Sequence, residues 1–414
     1  MKNVKFFIRK EIFLILIIFI VFINPFLYGY RLALILAVFL FFKLNFLAKN
    51  LDKNVLYLMF FGLSYEIFSA LHPDALSQSP VIILINAGLP LILYLTGKYV
   101  SSNYSSKQVW VFFIFFISFS FSIVPLISIL DQILKNGFME GTRSMYLLWD
   151  PSNELNATGL AGYFVLNMPF IGLINIKKNS VFEKRIYYAC LLLFALSLIC
   201  ILRLGSRTQL VIAFFSLAIS YILNFKKQSK KNNIIVICVL VLACGVVLYN
   251  LNKFSAAFTF YEDRVNDDTA GINTLGGRTD RWIASISSII TDPFGWDLKR
   301  FGYSHNLWFD VARAAGIIPL IFLILYTFSS IKLFFKSLKM LKDDIFIRTF
   351  IIIIFCSFIL QFTVEPIIDG MYLLFLLFCT FVGFLSGINK NKKRISVRPA
   401  NKQALTPQPQ FRNT

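Results

Sequence analysis

Charge is scarce in this sequence: 15% of its 414 residues are Asp, Glu, Lys or Arg, where water-soluble domains carry roughly a quarter. That shortage excludes a soluble globular domain. Histidine is rarer still, with His72 and His305 the two in the chain. The six cysteines, Cys190, Cys200, Cys238, Cys244, Cys356 and Cys379, all fall inside apolar runs. None has the paired loop spacing of a metal site or a disulfide framework, so they read as small packing residues. Acidic residues number 21 against 41 Lys and Arg, a formal charge of +20. The excess sits in short loops such as 226–231 and in the tail. Topology and anionic lipid account for it there, with no nucleic-acid partner.

What abounds is apolar surface: 57% of residues are hydrophobic, 47 of them Phe. Repeated runs approach the roughly 20 residues that cross about 30 Å of hydrocarbon as helix. The pattern predicts an all-α polytopic bundle of about twelve membrane helices, near 12–29, 32–48, 55–71, 81–97, 109–130, 157–176, 186–203, 208–224, 234–251, 306–331, 346–364 and 371–388. Asn24-Pro25 interrupts the first and Lys43 the second, so that pair also fits a shorter hairpin. Lys2, Lys5, Arg9 and Lys10 precede an apolar run with no small-residue cleavage site after it, the pattern of an uncleaved anchor. Most Lys and Arg fall in alternate segments, which puts both termini in the cytoplasm. Residues 1–388 thus form one integral membrane domain, and the basic, polar stretch 389–414 reads as a disordered cytoplasmic tail.

Function concentrates in long non-helical insertions. Two external segments are long, 131–156 and 252–305. The larger is close to charge-balanced. On the same face Arg203-Leu204-Gly205-Ser206-Arg207-Thr208 joins the seventh and eighth helices, and a spacing of four would put both guanidinium groups on one helical face. Arginine's planar fork matches phosphate oxygens, so a lipid diphosphate is a sensible ligand. Snorkelling to lipid headgroups is the plainer alternative.

A second cluster runs from Gly276-Gly277-Arg278-Thr279-Asp280-Arg281-Trp282 through Asp292-Pro293-Phe294-Gly295-Trp296 to Ser304-His305-Asn306. The apolar period from Trp282 to Ile290 predicts a short amphipathic helix at the membrane surface, opened by Arg278 and Arg281. Its plain reading is an interfacial anchor. His305 precedes the tenth helix, with Ser304 as its cap. A side chain that titrates near neutrality can take a proton from a sugar hydroxyl, although a lone interfacial histidine is often structural. Asp310 and Arg313 follow three residues apart, spaced to pair within the helix. Glu365 and Asp369, in the last external turn, are placed to reach the same cavity as an alternative base or to orient an arginine. Glu66, toward the external end of the third helix, carries a weaker version of that argument.

These pieces resemble the O-antigen ligase and polymerase family of bacterial polysaccharide assembly, over roughly residues 200 to 330. The likeness rests on Leu204-Gly205-Ser206-Arg207-Thr208, the Gly-Arg-Thr-Asp-Arg-Trp segment, Pro293-Phe294-Gly295-Trp296, and Ser304-His305-Asn306 leading to Ala315-Gly316-Ile317-Ile318-Pro319. Relatives often have a small residue where this chain has Thr208. The resemblance implies a glycosyltransferase of the bacterial inner membrane that uses an undecaprenyl-diphosphate-linked glycan at the external face, without metal or cofactor. It implies Arg207, Arg278 and His305 as catalytic. Charge and position add Arg203 and Arg281, and with them Asp310 and Glu365, as residues that bind the lipid diphosphate or its glycan. The acceptor is a second lipid-linked glycan for a polymerase, the favoured reading, or lipid A core for a ligase. Membrane lipids and other polysaccharide-assembly proteins are the expected partners. A lipid-linked oligosaccharide transporter is the alternative from another class.

Overall fold

An apolar chain in lipid must satisfy its backbone internally, and the helix is the local solution. The computed structural model describes residues 2–25, 29–71, 80–138, 144–174, 176–225, 234 and 278–397, and they form an all-α membrane bundle. Helices α1 (Lys2–Lys10), α2 (Ile12–Ile23), α3 (Gly29–Phe41) and α4 (Leu44–Asn50) precede α5 (Lys53–Leu71), α6 (Pro80–Asn103) and α7 (Lys107–Asn136). A two-stranded hairpin, β1 (Met145–Leu147) and β2 (Asp150–Leu155), leads through α8 (Ala157–Gly162) to α9 (Val181–Leu204) and α10 (Arg207–Asn224). The chain then continues as α11 (Arg278–Thr291), α12 (Leu307–Ala315), α13 (Ile317–Met340), α14 (Ile345–Val364) and α15 (Ile367–Val397).

Among the described residues eight helices are long and apolar enough to cross a membrane: α5, α6, α7, α9, α10, α13, α14 and α15. The other four predicted spans fare differently. The first is α2, whose 12 residues cover about 18 Å, too little for the hydrocarbon. The second bends by 91° between Phe41 and Leu44, where Lys43 sits. The ninth, 234–251, lies outside the described residues apart from position 234, as do His72, Cys238, Cys244 and residues 252–277 of the long loop.

The sixth, 157–176, is not one helix. It is α8, a run of turns, and a 3-10 segment, Met168–Leu173. Irregular backbone at membrane depth is tolerated where protein surrounds it, and Phe164, Val165, Leu166 and Asn167 are all buried. Asn167 donates to Ser197 Oγ at 2.9 Å, and Ser220 Oγ donates to the Gly172 carbonyl. Tight turns such as Phe164 N to Ala161 O and Asn167 N to Phe164 O satisfy much of its backbone, and side chains on α9 and α10 tie the segment to the bundle.

The predicted tenth helix also divides, into α12 and α13 at Gly316, whose φ is +80°. A Cβ there would stand 2.4 Å from the Pro293 carbonyl oxygen, to which Ile317 N donates at 2.8 Å. Trp296 N donates to Arg313 O at 3.0 Å, so the 293–296 turn packs into the break. The membrane span therefore begins at Ile317. Elsewhere α7 runs on to Asn136 and the hairpin occupies much of 131–156, tied to α7 by Leu148 N donating to Ser128 Oγ at 3.0 Å. α15 continues through 389–397, the start of the stretch read as tail, and residues 398–414 lie outside the described ones.

α15 is the central helix. Its backbone meets that of α6 at a glycine from each side: a Cβ on Gly383 would stand 1.8 Å from Tyr94 O, and one on Gly97 1.9 Å from Thr380 O. Small residues allow this close approach, as in other membrane helix pairs. At one end of the bundle Asn3 donates to Ser106 Oγ at 3.2 Å, and Lys107 pairs with Asp344 at 2.8 Å. Alternate connections of the sequence therefore share that end. The candidate site occupies the other.

Candidate functional site

Four separate stretches of chain meet at Glu365. α14 ends at Val364, and Glu365 caps it in an extended conformation before Pro366. Its carboxylate is almost fully buried, 4% exposed. Thr208, in the first turn of α10, donates its hydroxyl to Oε1 at 3.1 Å. Arg278 Nη2, at the start of α11, donates to the same oxygen at 3.3 Å. His305 Nδ1 lies 3.7 Å from Oε2, within ion-pair reach but too far for a hydrogen bond. One turn earlier, Gln361 Oε1 accepts from Gln209 Nε2 at 2.9 Å. This second pair fixes the register of α10 against α14.

His305 is held in a left-handed conformation, φ +54°, which costs a non-glycine residue roughly 1 kcal/mol or more. The surroundings that enforce it are specific. Asp310 is buried, and its two oxygens accept from Ser304 N at 2.8 Å and Asn306 N at 3.1 Å, on either side of His305. Ser304 Oγ is 2.6 Å from Ser285 Oγ, and Trp282 Nε1 donates to Ser304 O at 2.9 Å. Arg281 Nη1 donates to Tyr303 O at 3.2 Å. Asn306, not Ser304, caps α12, accepting from Trp308 N and Phe309 N. The predicted short helix opened by Arg278 and Arg281 is present as α11, and it grips the loop that presents His305, a role its sequence did not suggest. Its Ile283, Ile286 and Ile290 face outward while Ser285 and Ser288 are buried, the arrangement of a helix lying at a lipid interface.

Two spacing arguments fail. Arg203 and Arg207 do not share a helical face, because Gly205 at φ +64° ends α9 and α10 starts at Arg207. Arg203 is buried in the last turn of α9. Asp310 and Arg313 do not pair with each other. Arg313 Nη2 bonds Asp369 Oδ2 at 2.9 Å, and its guanidinium carbon lies 5.4 Å from the centre of the Tyr303 ring.

The site's electrostatics follow from burial. Desolvation pushes the Asp310 carboxyl up to about 6, against the pull of its two backbone donors. Burial first, and then the Asp369 carboxylate, raise the Tyr303 phenol. Several buried polar atoms have no hydrogen-bond partner among the described residues: Arg207 Nη2, His305 Nδ1, Arg313 Nε and Glu365 Oε2. Similar atoms occur elsewhere in the bundle, among them Asn54 Oδ1, Tyr326 Oη and Asn389 Oδ1, but here they belong to charged and titratable side chains, which a ligand or a proton can satisfy. Among the described residues no grouping of His, Cys, Asp and Glu has the composition of a metal site. Thr208 is the residue whose part the sequence hid; nothing near it shows that its hydroxyl meets a carboxylate 157 positions away. No protein-family model matches the chain, and no curated protein matches it.

Proposed function

We propose that the chain is a membrane glycosyltransferase that moves a glycan from a lipid diphosphate to an acceptor hydroxyl at the external face, as the resemblance to O-antigen polymerases and ligases implies. What carries the reading is the convergence of Arg278, Thr208 and His305 on the buried Glu365, with Arg207, whose guanidinium is partly unpaired, next to Thr208 in the chain. The acceptor oxygen attacks the anomeric carbon, the bond from that carbon to the diphosphate oxygen breaks, and the leaving group keeps the electron pair. Arg207 and Arg278 stabilise the departing charge with fixed donors. His305 takes the acceptor proton, and Glu365 Oε2 is placed to balance the imidazolium that forms. Asp310 and Arg281 hold the His305 loop by backbone contacts and act as positioning residues.

Purified protein supplied with an undecaprenyl-diphosphate oligosaccharide is expected to lengthen the glycan and release lipid diphosphate. Extension with donor alone identifies a polymerase, the favoured reading. Transfer that requires lipid A core identifies a ligase. The resemblance implies the inner bacterial membrane, and the basic loops imply cytoplasmic termini. One observation favours a transporter instead: the irregular segment between α8 and Met168, with Asn167 buried in the bundle, is the kind of broken helix that transporters use. Movement of labelled donor between leaflets without any transfer would decide for that reading.

A further inference from the structure

The membrane end opposite the candidate site holds a crevice that the proposed chemistry does not use. The second predicted span turns through 91° after Phe41, so α4 departs from the axis of α3. Between this bend and the last turn of α6 opens a cavity of about 680 Å³, within the range of small-molecule sites. Lys43 and Lys49 are the charged residues that line it, and no carboxylate does. Neither lysine has an ion-pair partner among the described residues; Lys43 Nζ lies 5.6 Å from the centre of the Phe39 ring.

The nearest acids are already engaged. Glu11 accepts from Tyr99 at 3.0 Å and Tyr104 at 2.6 Å, and Asp52 accepts from Lys98, Tyr94 and Ser386. Ser102, 7% exposed, also lines the crevice. Asn45 and Asn103 supply further amides. At the rim Phe41, Phe42 and Leu44 are 62%, 79% and 59% exposed, apolar surface suited to acyl chains at an interface.

We infer that this crevice binds the headgroup of one anionic phospholipid, its phosphate between Lys43 and Lys49 and near Ser102, and its chains along Phe41, Phe42 and Leu44. Two ammonium groups without a carboxylate partner and an apolar rim beside them match that ligand in charge and shape. The site is independent of the proposed transfer chemistry, so either can fail alone.

Native mass spectrometry of the detergent-purified full-length protein tests it, with phosphatidylglycerol or phosphatidylethanolamine added in turn. Phosphatidylglycerol is expected to be retained at one copy, and Lys43→Gln with Lys49→Gln to weaken that retention roughly tenfold. The Lys43→Arg, Lys49→Arg protein should keep it, and Lys336→Gln with Lys339→Gln, on lysines outside the crevice, should leave it unchanged. Both crevice lysines are exposed, and an unaltered melting temperature will show that the variants are folded. Equal retention of the two lipids by the wild type would overturn the inference. So would phosphatidylglycerol held as tightly by the glutamine variant, its loss from the arginine variant, or its displacement by inorganic phosphate alone.

Discussion

Two charged clusters mark the two ends of this bundle, and they are built on opposite principles. At the end with the N-terminus, Asp52 is saturated: Oδ1 accepts from Asn54 N and Val55 N at 3.0 and 3.3 Å, and Oδ2 from Tyr94, Ser386 and Lys98. Lys98 Nζ also donates to Asn50 O at 2.7 Å. At the far end Glu365 keeps one buried oxygen unpaired, His305 keeps a nitrogen unpaired on a strained backbone, and Arg207 has an idle N–H. With both oxygens occupied, the Asp52 carboxylate has no capacity left for a ligand and serves to pin α5, α6 and α15 together. An unsaturated network is costly to maintain, and that cost is a reason to place function there.

The largest effect that would break this contrast is on turnover. Arg207→Lys keeps the charge but loses the fork, and is expected to reduce glycan transfer by about 10²-fold or more with little change in melting temperature. His305→Ala should fall in the same range. Measured rates on purified, folded variants check both, and full activity in either would remove the catalytic role. At the saturated end the expectation reverses. Lys98→Met is expected to cost about 2 kcal/mol of stability, less than a wholly buried pair because Asp52 remains 30% exposed. Transfer per folded molecule should stay close to wild type.

Asp310 sharpens the comparison through pH. Its folded pKa, about 6, lies above that of an unfolded aspartate. The folded protein therefore holds the proton more tightly, and this contribution to stability is full below about pH 4 and lost as pH rises through about 6. Melting of wild type against Asp310→Asn should show the wild type losing about 2 kcal/mol relative to the variant between about pH 4.5 and about pH 7.5. A constant difference would show that the carboxyl is not desolvated as its burial implies. The smallest effect belongs to Thr208→Val, which removes one hydrogen bond to Glu365 worth about 1 kcal/mol. A roughly fivefold fall in transfer is expected, with folding stability lowered by up to about 1 kcal/mol.

Composition and local pattern determined the membrane character of this protein. A helix that crosses lipid must be apolar over most of its length whatever its neighbours, so α5, α6, α7, α9, α10, α13, α14 and α15 are legible from hydropathy alone. The amphipathic α11 was legible for the same reason, and Glu365, Arg278 and His305 stood out as polar chemistry at one end of the helices. Tertiary structure decided where helices break and which side chains meet. The 163–167 turns and the Gly316 break exist because Ser197, Ser220 and the 293–296 turn supply packing and hydrogen bonds from elsewhere in the chain. Asp310 reads as a partner for Arg313 by spacing, yet the loop backbone claims it and Asp369 claims the arginine. Periodicity reports a residue's distance from its sequence neighbours. The candidate site is made of contacts between residues far apart in the chain, which only the packed bundle brings together.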